Sequence, residues 1–354
     1  LAVPVFAAEA PKVSPKDQEA MVAKAIDYLR TKGQKDDGSF SPQTGSAVTS
    51  LVTTALLKQG RTVDDPVVAK ALKYIEGFVR EDGGIYMTDS KQINYETCIA
   101  IMCFAEANKD GRYDKILKNA DAYLKKQQWT EANGKEKSDV YYGGAGYGNN
   151  KRPDLSNTTF MVDALKAAGN DENSEAIKRA LVFISRCQNL ETEYNTTPFA
   201  AKKPDGGFYY TPAAGGQSMA GIDDNGALRS YGSMTYAGLK SMIFAGVKKD
   251  DPRVKAALAW LSKNYSTSEN PAMGDAGLYY YYQTLAKALS AYGADTFKDA
   301  SGHEHDWRQE VLAALKAKQK EDGSWVNTNN KFMEGDANLT TGYALLAIAY
   351  CQKK

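Results

Sequence analysis

Histidine is almost missing from this chain: His303 and His305 are the only two in 354 residues. A zinc site resting on imidazole would have at most two ligands of one sort, and Ser301–Asp306 reads more simply as a surface loop entering a helix. An excess of one charge is missing too. With 44 basic against 43 acidic side chains and no arginine-rich run, nothing draws the chain toward nucleic acid or an anionic membrane surface. Beyond the first residues there is no run of about 18 apolar residues, so no spanning helix is expected. The four cysteines do not form a disulfide framework. Cys98 and Cys103 lie in the apolar run Cys98–Phe104, where a helix points them in different directions, and they read as buried free thiols. Cys187 and Cys351 are too far apart in sequence to pair by inspection.

What is present is a repeat. Gln34-Lys35-Asp36-Asp37-Gly38-Ser39-Phe40 recurs as Gln319-Lys320-Glu321-Asp322-Gly323-Ser324-Trp325, with glycine turns between at Asp82-Gly83-Gly84, Tyr142-Gly143-Gly144 and Asp205-Gly206-Gly207. Self-similarity at this period predicts stacked supersecondary units that bury their apolar faces only against one another, hence one cooperative body. Gly38 and Gly323 are expected at positive φ, with the glutamine tying off backbone groups and Phe40 or Trp325 packing over the turn. Residues 16–354 are read as a single domain. Residues 1–15 are set apart, because Leu1–Ala10 is apolar and ends in a small-x-small pattern. That fits the tail of a secretory signal and an extracytoplasmic location, the other reading being a disordered N-terminus.

Each unit reads as a first helix, a glycine-bearing turn and a more apolar second helix. Counting eleven residues back from the small or helix-ending residues at 60, 108, 169, 246, 293 and 351 gives Thr49, Thr97, Thr158, Thr235, Tyr282 and Thr340. A threonine hydroxyl at a helix start can take an orphan amide, so capping is one reading; a ring of polar groups around a cavity mouth is the other. Second helices as apolar as Ala344–Ala349 need cover on most sides. An inner ring of six wrapped by an outer ring of six supplies it without the end caps an open solenoid requires. The expected fold is an all-α, α/α toroid of six helix pairs.

The Gln-x-x-x-Gly-x-Trp pattern, complete at Gln319–Trp325 and with Phe at Gln34–Phe40, resembles the repeat motif of squalene and other triterpene cyclases, within the prenyltransferase and squalene-oxidase repeat superfamily. The resemblance spans residues 18 to 352. It implies the same toroid and an isoprenoid or other hydrophobic ligand in a central cavity. Cyclases of this kind carry an Asp-x-Asp-Asp-Thr-Ala acid segment, and aligned on the register it falls on Asp154-Leu155-Ser156-Asn157-Thr158-Thr159. Only the first carboxylate is kept, and neither a hydroxyl nor an amide is acid enough to protonate an isolated alkene. Protein prenyltransferases of the superfamily bind zinc through Asp-x-Cys and a later histidine. Glu96-Thr97-Cys98 matches the first part loosely, but Tyr281, Asn157 and Leu339 stand where the histidine would fall. No metal or other cofactor is expected.

The remaining acid candidates are Asp154, Glu96 and the adjacent Asp223 and Asp224, the last two in a glycine-rich loop where aspartate is also an ordinary turn former. Tyr141, Tyr142, Tyr147, Tyr209, Tyr210 and Tyr279 to Tyr282 are expected to edge the mouth, and of this set Tyr141, Tyr142, Tyr147, Tyr209, Tyr281 and Tyr282, with Asn157 and Thr158, to touch a ligand; ring packing is the alternative for the tyrosines. The long loops at about 130–155 and 190–230 carry most of the Gly, Tyr and Asp, and loops of that length are more often functional than spacers. Three functions follow. The first is an exported cyclase-like toroid holding a hydrophobic ligand, with divergent isomerase or transferase chemistry. The second is a non-enzymatic scaffold binding a protein or cell-wall partner through its loop face, and the third a carbohydrate-active toroid with two facing carboxylates. The chain is expected to be a monomer.

Overall fold

Capping side chains, three of them followed by proline, start four of the six odd-numbered helices. Pro15, Pro66 and Pro252 open α1 (Pro15–Tyr28), α3 (Pro66–Glu76) and α9 (Pro252–Lys263), where a missing N–H costs nothing. Ser14, Asp65 and Asp251 accept from the first-turn amides of these helices, and Asp306 does the same for α11 (Trp307–Lys318). The set is completed by α5 (Asp114–Gln127) and α7 (Glu175–Arg186). Each buries one stripe; in α3 it is Val67, Val68, Ala71, Leu72 and Ile75.

The even-numbered helices are buried nearly all round. They are α2 (Ala47–Lys58), α4 (Ile93–Ala107), α6 (Leu155–Ala167), α8 (Gly232–Phe244), α10 (Leu278–Tyr292) and α12 (Ala337–Cys351). Each packs on the next, and α12 packs on α2, so the six close into an inner ring that the odd helices surround. The computed structural model describes residues 12–148 and 151–352, and within them the predicted toroid of six pairs is what forms. The stretch Leu1–Ala10 lies outside the described residues. A two-residue ribbon, β1 (Phe297–Lys298) with β2 (Glu304–His305), precedes α11. There His305 bonds Glu310 and Asp299 through its two ring nitrogens. All four cysteines are buried free thiols. Among the described residues no helix is long and apolar enough to cross a membrane.

The repeated turn locks each unit to the next. Gln34 and Gln319 each donate from the side-chain amide to two carbonyls: Gly38 and Val67 for the first, Gly323 and Met21 for the second. One carbonyl belongs to the turn, the other to the N-terminal half of the next outer helix. Gln128 and Gln188 make the same pair of bonds, to Gly143 and Ala176 and to Gly206 and Arg253. The spacing hides these two, since 15 and 18 residues separate glutamine from glycine where the repeat motif has 4. Gly38 and Gly323 have φ of 91° and 90°, and a Cβ there would sit 2.3 and 2.2 Å from the carbonyl oxygens of Lys70 and Lys24. Only glycine allows so close an approach to the neighbouring helix. Because Gln319 and Gly323 reach α1, this last contact also closes the ring.

The register threonines do something other than capping. Thr49, Thr97, Thr158 and Thr235 are fully buried, and their hydroxyls accept from the amides of Phe40, Ile85, Ala145 and Phe208 at 2.9–3.0 Å. Those amides belong to the glycine turns, not to the threonines' own helices. In the last unit Trp325 donates instead to Thr341, one place later than the register, at 3.1 Å. The threonines therefore fasten each turn to its inner helix and do not ring a mouth.

Candidate functional site

Five of the six inner helices are tied to a turn near the N-terminal end, and the starts of all six gather around one cavity. Two residues before each fastening threonine the helix has turned through about 200°, so the side chain there looks the opposite way, toward the toroid axis. Ala47, Tyr95, Ser156 and Ser233 hold that position in α2, α4, α6 and α8, and Leu339 holds it in α12 when counted from Thr341. Tyr280 stands equivalently in α10, two before Tyr282. All six line one cavity of about 320 Å³. At about 30 Å³ per water this is room for on the order of ten non-hydrogen atoms.

The wall is mainly aromatic. Tyr147, Tyr95, Phe160, Tyr280 and Tyr343 form a chain of rings with successive centroids 6.5, 5.1, 6.0 and 5.8 Å apart. Tyr210 and Tyr231 add to it from the loops before α6 and α8 in space. Phe160 and Tyr343 also line a second cavity of only about 30 Å³, deeper in the ring, so they form the floor of the larger one. Beneath them Asp163 Oδ2 holds Lys240 at 2.7 Å and Lys287 at 2.6 Å, all three side chains largely buried. Burial pushes Lys240 down to about 8, although Asp163 opposes the shift.

Two buried carboxyl groups border the cavity. Asp154 caps α6: its Oδ1 accepts from the Asn157 amide and its Oδ2 from the Asn157 side chain, both at 2.8 Å. Burial nevertheless raises it to about 6, against the lowering effect of Asn157, the adjacent Tyr210 hydroxyl and Arg152. Glu334 lines the cavity at the start of α10, where it accepts from the amides of Tyr279 and Tyr280 and from Asn327. Burial raises it as well. A carboxylate suits a helix start through the helix dipole, which is why α10 tolerates one.

Of the residues singled out in the sequence, the cavity receives Tyr147, Tyr210 and Tyr280 directly and Asp154 and Asn157 through contacts with its wall. Thr158 is fully buried and spent on Ala145. Glu96 is consumed by structure: it accepts from the Ser46 amide and hydroxyl, the Met87 amide and the Ser90 hydroxyl. Asp223 accepts from Asn225 and Ala227 in an outer loop, which holds its carboxyl below the usual range, and Asp224 is exposed. Neither lines the cavity. The tyrosines expected at the mouth mostly pack elsewhere. Tyr209, Tyr281 and Tyr282 are fully buried, with hydroxyls donated to the carbonyls of Arg186, Ser266 and Thr267. Tyr141 lies edge-on to Trp129, and Tyr142 donates to Glu131. Among the described residues no group of three or more His, Cys, Asp or Glu is placed to hold a metal ion.

The inward residues Tyr95, Phe160, Tyr231, Tyr343 and Glu334 escaped the sequence reading. The signal for most of them was present: it is the threonine register moved by two.

A family model described as squalene-hopene cyclase C-terminal domain matches residues 40–212. No curated protein matches the sequence. Among solved structures, the type II terpene cyclase MstE from Scytonema is 14% identical with a TM-score of 0.58, covering 95% of this chain and 98% of that one. A variant of it, with the same score and identity over 94% and 97% of the two chains, is in complex with geranylgeranyl dihydroxybenzoate as substrate. A glycosyl hydrolase family 88 protein from Bacteroides vulgatus has a TM-score of 0.56 at 10% identity, over 94% of this chain and 98% of that one. At these identities the likeness is one of fold. The chain is an α/α toroid, similar in fold to a type II terpene cyclase and, over residues 40–212, in sequence to the squalene-hopene cyclase C-terminal domain.

Proposed function

We propose that the chain holds a small hydrophobic ligand of isoprenoid type in the aromatic cavity at the starts of its inner helices. The observation that carries this reading is the cavity itself: six inward positions, one from each inner helix, surround open space instead of meeting at the axis. The match to a cyclase domain and the isoprenoid-bearing substrate of MstE support the ligand class. The volume favours a ligand of monoterpenoid size, or one end of a longer chain, over an enclosed triterpene.

If the ligand is turned over, Asp154 is the donor in this reading. Burial keeps it protonated up to about pH 6, beside Tyr210 and Tyr147 of the wall. A carboxyl raised to that value is a weaker acid than a free one, which suits proton transfer to an oxygen and not to an isolated alkene. Isomerisation, or transfer with loss of an alcohol, therefore fits better than alkene-initiated cyclisation. Carbohydrate processing is a second reading, favoured by one observation: two carboxyls raised by burial, Asp154 and Glu334, border a tyrosine-lined cavity. Export belongs to the proposal through Leu1–Ala10 and is checked by localising the full-length product.

The test is calorimetric titration with geraniol and farnesol, comparing the protein with Ala47→Phe, which fills the cavity from the first turn of α2. Binding weakened by roughly tenfold or more in the variant, at unchanged melting temperature, supports the reading. Absence of binding to the unaltered protein, or equal binding to both, overturns it.

A further inference from the structure

The cavity's wall chemistry points past a neutral ligand. Six tyrosines, at 95, 147, 210, 231, 280 and 343, and Phe160 line it, together with Glu334, and no lysine or arginine is among the lining residues. Elsewhere in the molecule, cationic side chains lie over aromatic rings at many places, including Arg253 over Tyr194 and Lys249 over Tyr292. Among the described residues, the rings of Tyr95, Tyr147, Phe160, Tyr231, Tyr280 and Tyr343 have no such partner; Tyr210 alone of the wall tyrosines has one, Arg152 at 5.7 Å. Phe332, also in the lining, has Lys331 at 5.3 Å, so the rings open to a cation are the tyrosines of the inner wall and Phe160. Each ring face carries negative potential, and a desolvated cluster of them attracts a cation more strongly than an exposed ring does.

The helix starts argue in the other direction, since each presents about half a positive charge to the cavity. Four full carboxylates answer them. Asp154 caps α6 and Asp336 caps α12. Glu334 accepts from the first amides of α10, and Glu96 from the amide of Ser46 at the start of α2. With Arg152 counted beside Asp154 and Tyr210, six half-charges against four whole ones leave the mouth near balance, and the charged side chain among the lining residues is Glu334. Lys240 and Lys287 exceed Asp163 by one positive charge, but they are paired with it and lie beyond the floor rings of Phe160 and Tyr343.

We infer that the cavity selects a ligand bearing a compact organic cation, such as a quaternary or tertiary ammonium group, held by the tyrosine rings and neutralised by Glu334 and Asp154. The inference rests on the cavity being a ligand site, and it narrows the class of ligand. A trimethylammonium group is small enough for the volume and apolar enough for the wall, and it donates no hydrogen bond that the ring faces would leave unmet.

Choline and its neutral carbon isostere, in which a quaternary carbon replaces the nitrogen, isolate the charge at constant shape. Titration of the intact protein with each is expected to show choline binding roughly tenfold tighter or more. Tyr280→Leu, which removes a ring, should erase most of that ratio, and Tyr280→Phe, which keeps it, should preserve it. Choline affinity should also improve as pH rises through 6, where Asp154 ionises. Equal affinities for choline and the isostere overturn the inference, as does a ratio unchanged in Tyr280→Leu. Geraniol binding without choline binding defeats the cation preference and leaves the hydrophobic-ligand reading standing. Choline binding without geraniol binding does the reverse, and failure of both ligands defeats both.

Discussion

Asn157 donates twice to Asp154, from its backbone amide and from its side chain, each at 2.8 Å, and the pair is almost wholly buried at the start of α6. Two donors favour the ionised carboxyl, yet burial outweighs them and the proton is held to about pH 6. In the cyclase pattern that this segment resembles, the place of Asn157 belongs to a carboxylate. Here an amide has turned a shared acid site into a single capped aspartate.

That balance has a sign in stability. The folded pKa of about 6 lies above the unfolded value near 3.9, so the folded state binds the proton more tightly. The stabilisation is fully present below about pH 4 and is lost as pH rises through 6, by roughly 2–3 kcal/mol. Urea unfolding of the protein and of Asp154→Asn at pH 4.5 and 7 should differ in pH slope in this sense. Parallel pH profiles would show that Asp154 does not carry the raised proton.

The glutamine ties predict unequal costs. Gln188 is buried and donates at 2.9 and 2.8 Å to Gly206 and Arg253, so Gln188→Ala strands two carbonyls and is expected to cost roughly 2–4 kcal/mol. Gln34 sits in a more exposed turn, where water can replace the amide. Gln34→Ala should cost less than half as much in the same denaturant titration. Equal losses would mean that the bonds to the outer helices, and not burial, set the energy.

Gly323 and Gly60 make a controlled comparison. Both have positive φ, but nothing lies within 4 Å of a Cβ at Gly60, whereas Lys24 O lies 2.2 Å from one at Gly323. Gly60→Ala should cost about 1–2 kcal/mol from backbone strain alone. Gly323→Ala adds the clash and is expected to lose roughly 2–5 kcal/mol, with faster hydrogen exchange in α1 and α12 where the ring closes. Similar costs for the two would argue that the closing contact yields easily.

The Asp163 cluster offers a rescue experiment. Asp163→Asn leaves two buried ammonium groups unpaired and should destabilise by roughly 3–5 kcal/mol. Lys240, already down at about 8 against a usual 10.5, would fall further. The variant should therefore gain stability as pH rises toward 10, because the unfolded chain then binds more protons than the folded one. Adding Lys240→Met should recover much of the loss at neutral pH. A double variant no more stable than Asp163→Asn would place the cost in packing instead of charge.

The repeated turn made the architecture readable, and it did so for a local reason. Gln319, Gly323 and Trp325 act through short-range geometry: a positive φ, a side chain reaching four residues on, a buried ring. Gln128 and Gln188 perform the same task across insertions of many residues, and a pattern of fixed spacing cannot find them. The threonine register was legible as a period and misread as a function. Hydroxyl chemistry allows a cap and a turn fastener equally, and only the position of the turn selects between them.

By itself the sequence determined the number of helix pairs, the ring they form and the loss of the acid segment at Ser156 and Asn157, because each follows from periodicity or residue chemistry. The tertiary structure alone decided which carboxyls and rings share a cavity. Tyr281 and Tyr282 adjoin Tyr280 in sequence, yet a helix turns about 100° per residue, so Tyr280 faces the axis while its neighbours point away. Glu334 reaches the site by folding back over the start of α10, a contact between residues more than fifty apart that no local rule encodes.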